Sequence, residues 1–262
     1  MNGQGERGFP AGPEESGERV IGRLWERNYD SGTSALLESL PFREDWDCLD
    51  LGTGTGSMAR WMARRARRGS VLAVDVDTSL VDEDVPHNLT VKQMDLRAED
   101  FVEGSFDLIL ARAVFSQLPD PDASLARAAR WLAPGGWLLV EDFCFMPSEH
   151  STTETGKAVI DAYVRTFEAH GVDAYWGRRA PALMARAGLV EMGKQVRPLG
   201  PGQGETENDL MRARLAYQGA PLVDNGLVSA QQLAEFVASL DDPGAQDIAT
   251  LQISVWARRP AA

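Results

Sequence analysis

Residues 50–56 read Asp50-Leu51-Gly52-Thr53-Gly54-Thr55-Gly56, a carboxylate followed by three glycines on alternate positions. Without a Cβ, a glycine backbone can turn tightly and come close to a ligand. A helix that starts just beyond such a loop aims its N-terminal amides at whatever sits there. Two more acids, Asp75 and Asp95, each close a short apolar run downstream. A dinucleotide site needs Gly-x-Gly-x-x-Gly with an acid about twenty residues on for the ribose hydroxyls. Asp75 meets the second requirement, but the glycine spacing does not meet the first. Asp50, so near the loop, would also repel a pyrophosphate. Three carboxylates at three successive strand ends suit a ligand that carries a positive charge and amino groups. A carboxylate can accept from two hydroxyls at once, which fits Asp75 to a ribose.

The elements that would place these acids follow from the apolar patterning. Strands are predicted at residues 45–51, 71–76, 89–94, 106–110 and 137–140, as nearly continuous apolar runs. Such runs mark parallel strands covered on both faces. A helix is predicted at 57–68, with Met58, Trp61 and Met62 at i, i+3, i+4 and Gly69 as its C′ stop. Its arginines, Arg60, Arg64, Arg65, Arg67 and Arg68, read as a solvated face that suits the C-terminal dipole. Another helix is expected at 121–133, broken by Pro134-Gly135-Gly136. Strand and helix alternate, so the expected fold is a doubly wound, mostly parallel α/β sheet of seven strands.

Residues 1–16, rich in Gly, Pro and Glu, are expected to be a mobile leader. Residues 17–145 are expected to be the core, opening with a helix at 17–40. Trp25 and Tyr29 lie four apart on it and share a face; they either pack on the core or fold as a lid across the strand ends. Residues 146–176 and 205–243 read as helical cap insertions, with helices at 151–170, 208–218 and 229–240. Residues 177–204 and 244–262 return to the sheet, through a helix at 178–187 and strands at 189–196 and 251–256. The last strand is expected to close the sheet edge. A cap in these positions would cover the carboxyl edge of the strands, where ligands bind in this architecture.

Composition narrows the function classes. The 262 residues are 44% apolar, enough for a sizeable core. A formal net charge of -13 disfavours nucleic acid, which needs a basic face, and anionic lipid. Cys48 and Cys144 each sit in an apolar run and read as buried free thiols in a reducing cytosol. No apolar run approaches the roughly 20 residues of a membrane helix. A cytoplasmic protein is expected, with homodimerisation left open and no metal-ligand spacing.

Residues 48–142 resemble a class I S-adenosylmethionine-dependent methyltransferase. The glycine loop matches that family's first motif, and Val74-Asp75-Val76-Asp77 its second-strand acid. Met94-Asp95-Leu96 matches the adenine-binding acid, Phe106-Asp107-Leu108-Ile109-Leu110 the fourth strand, and Leu132-Ala133-Pro134-Gly135-Gly136 the turn before the fifth. The nearest similarity is to bacterial small-molecule methyltransferases of natural-product type. The resemblance implies a Rossmann-like methyltransferase fold and S-adenosyl-L-methionine as cofactor. Gly52, Gly54 and Gly56 would form the loop beside it, Asp50 would hold its amino group, and Asp75 its ribose hydroxyls. Asp95 and the Leu96 amide would take the adenine, Val76 and Ala111 the ring walls, and Arg112 the carboxylate end or the substrate. The family commonly carries a histidine where this chain has Gln117, so no base is assigned there.

An oxygen nucleophile benefits from a base tuned near neutral pH. His87, in a Pro-His-Asn turn, and His170, at a helix end, read as structural. His150, beyond the fifth strand, and Asp142, at its carboxyl end, are the candidate bases. Trp25, Tyr29, Phe115, Tyr163 and Phe167 are candidate substrate contacts. The expected activity is methylation of a small organic metabolite, on oxygen, in secondary metabolism. A cyclase or rearrangement enzyme using the sulfonium as a fixed charge, a non-catalytic relative with a vestigial site, and a dehydrogenase stay open.

Overall fold

The computed structural model describes residues 16–261; the leader expected at 1–16 lies outside them save for Ser16. Helix α1 (Gly17–Ser39) starts at Ser16, whose side chain caps the Arg19 amide. There follow β1 (Cys48–Leu51), α2 (Ser57–Arg65), β2 (Val71–Asp75), β3 (Leu89–Gln93), β4 (Phe106–Arg112), α3 (Pro121–Trp131) and β5 (Leu132–Phe145). The chain continues through α4 (Glu154–Ala169), α5 (Ala180–Arg186), β6 (Val190–Leu199), α6 (Glu205–Asp224), α7 (Ala230–Ser239) and β7 (Thr250–Arg258).

The sheet has seven strands in the order β3-β2-β1-β4-β5-β7-β6. Only β7 runs against its neighbours, β5 and β6. Order reverses between β1 and β4, which opens a crevice at the carboxyl ends of those strands. Alternate residues face two separate cores. Cys48, Leu108 and Leu110 join Met58 and Met62 of α2, whereas Leu49, Leu51, Ile109 and Ala111 join Leu125 and Ala128 of α3. That two-sided burial is why the strands read as unbroken apolar runs. Each leucine buried there contributes about 2 kcal/mol.

Several expectations shift. Helix α2 stops at Arg65, with Ala66 as its cap. Gly69 serves another end: a Cβ there would stand 2.0 Å from the Trp46 carbonyl oxygen. Pro134-Gly135-Gly136 lies inside β5 rather than before it, where the pairing with β4 skips from Leu132 to Trp137 and Gly135 takes φ +83. The strand at 251–256 is found as β7, but in the interior; β6 is the edge. The physical reason is burial: Val255 and Ala257 are wholly buried, whereas Val190 and Val196 on β6 are exposed.

Helices α4, α6 and α7 build their own apolar cluster from Val159, Ala162, Leu215, Leu222 and Phe236. Helix α7 carries a capping box between Ser229 and Gln232. Helix α1 joins the two bodies. Leu36 and Leu37 enter the sheet core, whereas Val20, Leu24 and Tyr29 pack with Leu210 and Ala213 of α6. Cys48 and Cys144 are free and buried. Among the described residues no helix is long and apolar enough to cross a membrane.

Candidate active site

The loop after β1 places its three glycines at φ +63, +56 and +79, left-handed conformations that favour glycine. At Gly52 a Cβ would meet the Val114 side chain at 2.4 Å. At Gly54 nothing lies within 4 Å of that point, so a Cβ would project into the cleft itself. The loop is held by its own acids. The Thr53 hydroxyl donates to Asp50 at 2.6 Å, and the Gly54 amide donates to Asp75 at 2.9 Å. Asp50 is buried, which pushes its carboxyl up to about 6 against the pull of Thr53 and Arg112. Asp95 is spanned by the Arg97 guanidinium at 2.7–3.0 Å, and those hydrogen bonds hold it down to about 2.

A cleft of about 760 Å³ opens over this loop, lined by Gly52, Gly54, Asp75, Val76, Asp95, Leu96 and Arg112. Val76 is an apolar side chain left 59% exposed in it. Next to the cleft lies a cavity of about 400 Å³ between the sheet end and helices α1, α4, α6 and α7. Its walls are aromatic: Trp25 and Tyr29 from α1, Phe143 and Phe145 from β5, Tyr163 and Phe167 from α4, and Phe236 from α7. The two spaces share Ile21, Trp25, Ala113, Gln117 and Gln218. Ala113 holds φ +52, unusual for a residue with a Cβ, and its amide donates to the Glu141 carbonyl at 2.7 Å. Strain of that kind, about 1–3 kcal/mol, persists only where the surroundings fix it.

Asp142, three residues before the end of β5, lines the cavity. Its two oxygens accept from the Ser116 amide at 3.2 Å and the Phe143 amide at 2.9 Å. Burial still prevails and pushes its carboxyl up to about 6. A buried polar network locks α1 over the site. Asn28 and the Tyr29 hydroxyl (3.1 Å) donate to Glu207, and Arg197 donates to the Asn28 carbonyl at 2.7 Å. Thr33 and Ser254 both donate to buried Glu141, and Arg112 pairs with Asp30 at 2.8 Å. Burial, reinforced by Glu207, pushes the Tyr29 phenol well above its usual range.

The residues expected from sequence therefore divide. Gly52, Gly54, Asp75, Val76, Asp95, Leu96 and Arg112 meet in the cleft, and Trp25, Tyr29, Tyr163, Phe167 and Asp142 in the cavity. Asp50 sits beneath the loop and acts on it through Thr53. Gly56 is the residue before α2 and lines neither space. Ala111 is buried in the sheet core, so Arg112 and Ala113 form that wall instead. Phe115 is buried against Trp176 at 5.4 Å, part of the core rather than the cavity. His150 is exposed on the short turn Ser148–His150 and lines neither space. Sequence reading did not single out Glu207, Arg214 and Gln218. Their signal was present: with Met211 they recur every three or four residues along α6.

The methyltransferase-domain family matches residues 21–185, more than half of the sequence. The chain belongs to that family. Methyltransferase str3 of Strobilurus tenacellus is 31% identical over 139 residues, which are 52% of this chain and 50% of that one. The chain thus spans about half the length of the curated relatives it matches. Phosphoethanolamine N-methyltransferase 2 of Haemonchus contortus, solved with phosphomonomethylethanolamine and S-adenosylhomocysteine, has a TM-score of 0.61. It is 15% identical, with 94% of this chain and 58% of that one covered. The [4+2]-cyclase SpnF has a TM-score of 0.61 at 16% identity, with 91% and 83% covered. At these identities both structures speak for the fold alone.

S-adenosylmethionine is the cofactor of this methyltransferase, and the cleft fits it. The side-chain-free path at Gly54, the uncovered Val76 and the Asp75 carboxylate at a strand end match a backbone approach, a ring wall and a hydroxyl acceptor. When bound, the cofactor supplies an electrophilic methyl group on a cationic sulfur. Among the described residues, no group of three or more His, Cys, Asp or Glu side chains could hold a metal ion.

Proposed function

We propose that this methyltransferase methylates an oxygen of a small organic metabolite, of the kind made in secondary metabolism, held in the aromatic cavity. The observation that carries the reading is the wall shared by the cavity and the cofactor cleft, across which an acceptor in one would face a donor in the other. Asp142 is the base. Its carboxyl, raised to about 6, is ionised at neutral pH yet basic enough to take a hydroxyl proton as the O–CH₃ bond forms and the S–CH₃ bond breaks. Trp25, Tyr29, Tyr163 and Phe167 position the acceptor and keep water out, which is most of what an in-line displacement requires.

The test is calorimetry with S-adenosylmethionine on the unmutated protein and on Asp75→Ala, then mass analysis of products from a phenol and enol panel. Binding that Asp75→Ala weakens at least tenfold, with gain of one methyl on oxygen, is the expected result. No binding by the unmutated protein would falsify the reading. Cyclisation or rearrangement without net methyl transfer is the second reading, compatible with the fold shared with SpnF; a product of unchanged mass would favour it.

A further inference from the structure

Helix α6 presents an unusual face to the cavity. Glu207, Met211, Arg214 and Gln218 all line it or its shared wall, so charges point into a largely aromatic space. Glu207 has its donors in Asn28 and Tyr29. Arg214 is different. Its guanidinium lies over the Trp25 ring at 5.2 Å, and among the described residues no carboxylate pairs with it and no acceptor takes a hydrogen bond from it. On α4, Tyr163 also lines the cavity, and its hydroxyl is buried with no hydrogen-bond partner. The two groups are within each other's fields, since Arg214 counters the rise that burial imposes on the Tyr163 phenol. A buried donor with no acceptor is costly to keep, and so is a half-buried cation with no anion.

We propose that Arg214 and Tyr163 together bind an anionic group of the substrate, which is a carboxylate on an apolar or aromatic body that also bears the acceptor hydroxyl. This deepens the methyl-transfer reading and rests on it. The charge count of the walls selects a monoanion. Arg214 is the one cationic side chain among the described lining residues, whereas Asp142, Asp173 and Glu207 are acidic. One guanidinium neutralises a single charge, so the second charge of a phosphate dianion would be left uncompensated beside those carboxylates. Arg214 lines the cavity, and its guanidinium lies over Trp25, a residue of the wall shared with the cofactor cleft, so a carboxylate held there stays beside that wall.

The test is calorimetry on protein saturated with S-adenosylhomocysteine. The probes are hydroxyphenyl-alkanoic acids of increasing length, their methyl esters, and phosphate monoesters of the matching alcohols. The unmutated protein should bind the best acid about tenfold or more tighter than its ester and its phosphate analogue. Arg214→Met should erase that preference, Arg214→Lys should keep part of it, and Tyr163→Phe should reduce it. S-adenosylhomocysteine affinity and melting temperature should stay put in Arg214→Lys. Esters or phosphates that match the acids, no acid binding at all, or a preference that survives Arg214→Met would each overturn the inference. Failure of S-adenosylhomocysteine to bind would instead sink the methyl-transfer reading, and the acid–ester comparison would then be made on the apoprotein.

Discussion

At the scale of single residues, Asp50 and Asp142 make an instructive pair. Burial raises both carboxyls to about 6, yet one holds a loop and the other faces a cavity. As the proposed base, Asp142 must be ionised to act, so kcat/KM should fall as pH drops through about 6. Asp142→Asn should lower kcat by roughly 10²–10⁴ and remove that limb from the profile. Asp50 bears on stability instead. Its folded carboxyl sits at about 6, above the roughly 3.9 of an unfolded chain. Its contribution is therefore fully present below about 4 and is lost as pH rises through 6. Asp50→Asn keeps an acceptor for Thr53 and removes the buried charge. It should raise the stability of the apoprotein at pH 7.5 by about 1–3 kcal/mol, and at pH 4 by nothing measurable. Chemical denaturation at the two pH values checks this, and an equal gain at both would refute it.

Among elements, the glycine loop and helix α1 decide how the site is made. Gly52 and Gly54 share a positive φ but differ in surroundings, so alanine should act on them in different ways. At Gly54 the strain costs about 1–2 kcal/mol, and the added methyl projects into the cleft. Melting should move little while cofactor affinity falls more than about tenfold. At Gly52 the same strain adds to a 2.4 Å approach to Val114, so Gly52→Ala should melt several degrees lower than Gly54→Ala. Thermal melts and calorimetry on both proteins separate the cases. Much of this was legible in the sequence, because periodicity and glycine spacing are local signals. The five parallel strands, the turn at the loop and the position of Asp75 and Asp95 beside the cleft were legible for that reason. What stayed hidden was long-range. Nothing near Phe115 announces that it packs on Trp176, and nothing near His150 that its turn leaves it exposed. Glu207 reads as an ordinary first-turn acid until Asn28 and Tyr29, far back in the chain, are seen to close on it.

For the whole molecule, the organising fact is that β7 separates β5 from β6. Strand β6 is made first, yet its pairing in the sheet is to β7 alone. Between them the chain lays down α6 and α7. A protein on the ribosome thus carries an orphan strand and an open flank along β5 until residues 250–258 emerge. Unpaired edges of that kind recruit other chains. A version stopped at residue 249 should keep the β1–β5 core and its S-adenosylhomocysteine site but collect in inclusion bodies, whereas one ending at 259 should stay soluble. Equal solubility of the two would show that β6 is guarded in some other way. If the expected difference appears, quality control in the cell has one late checkpoint here: the arrival of a single nine-residue strand.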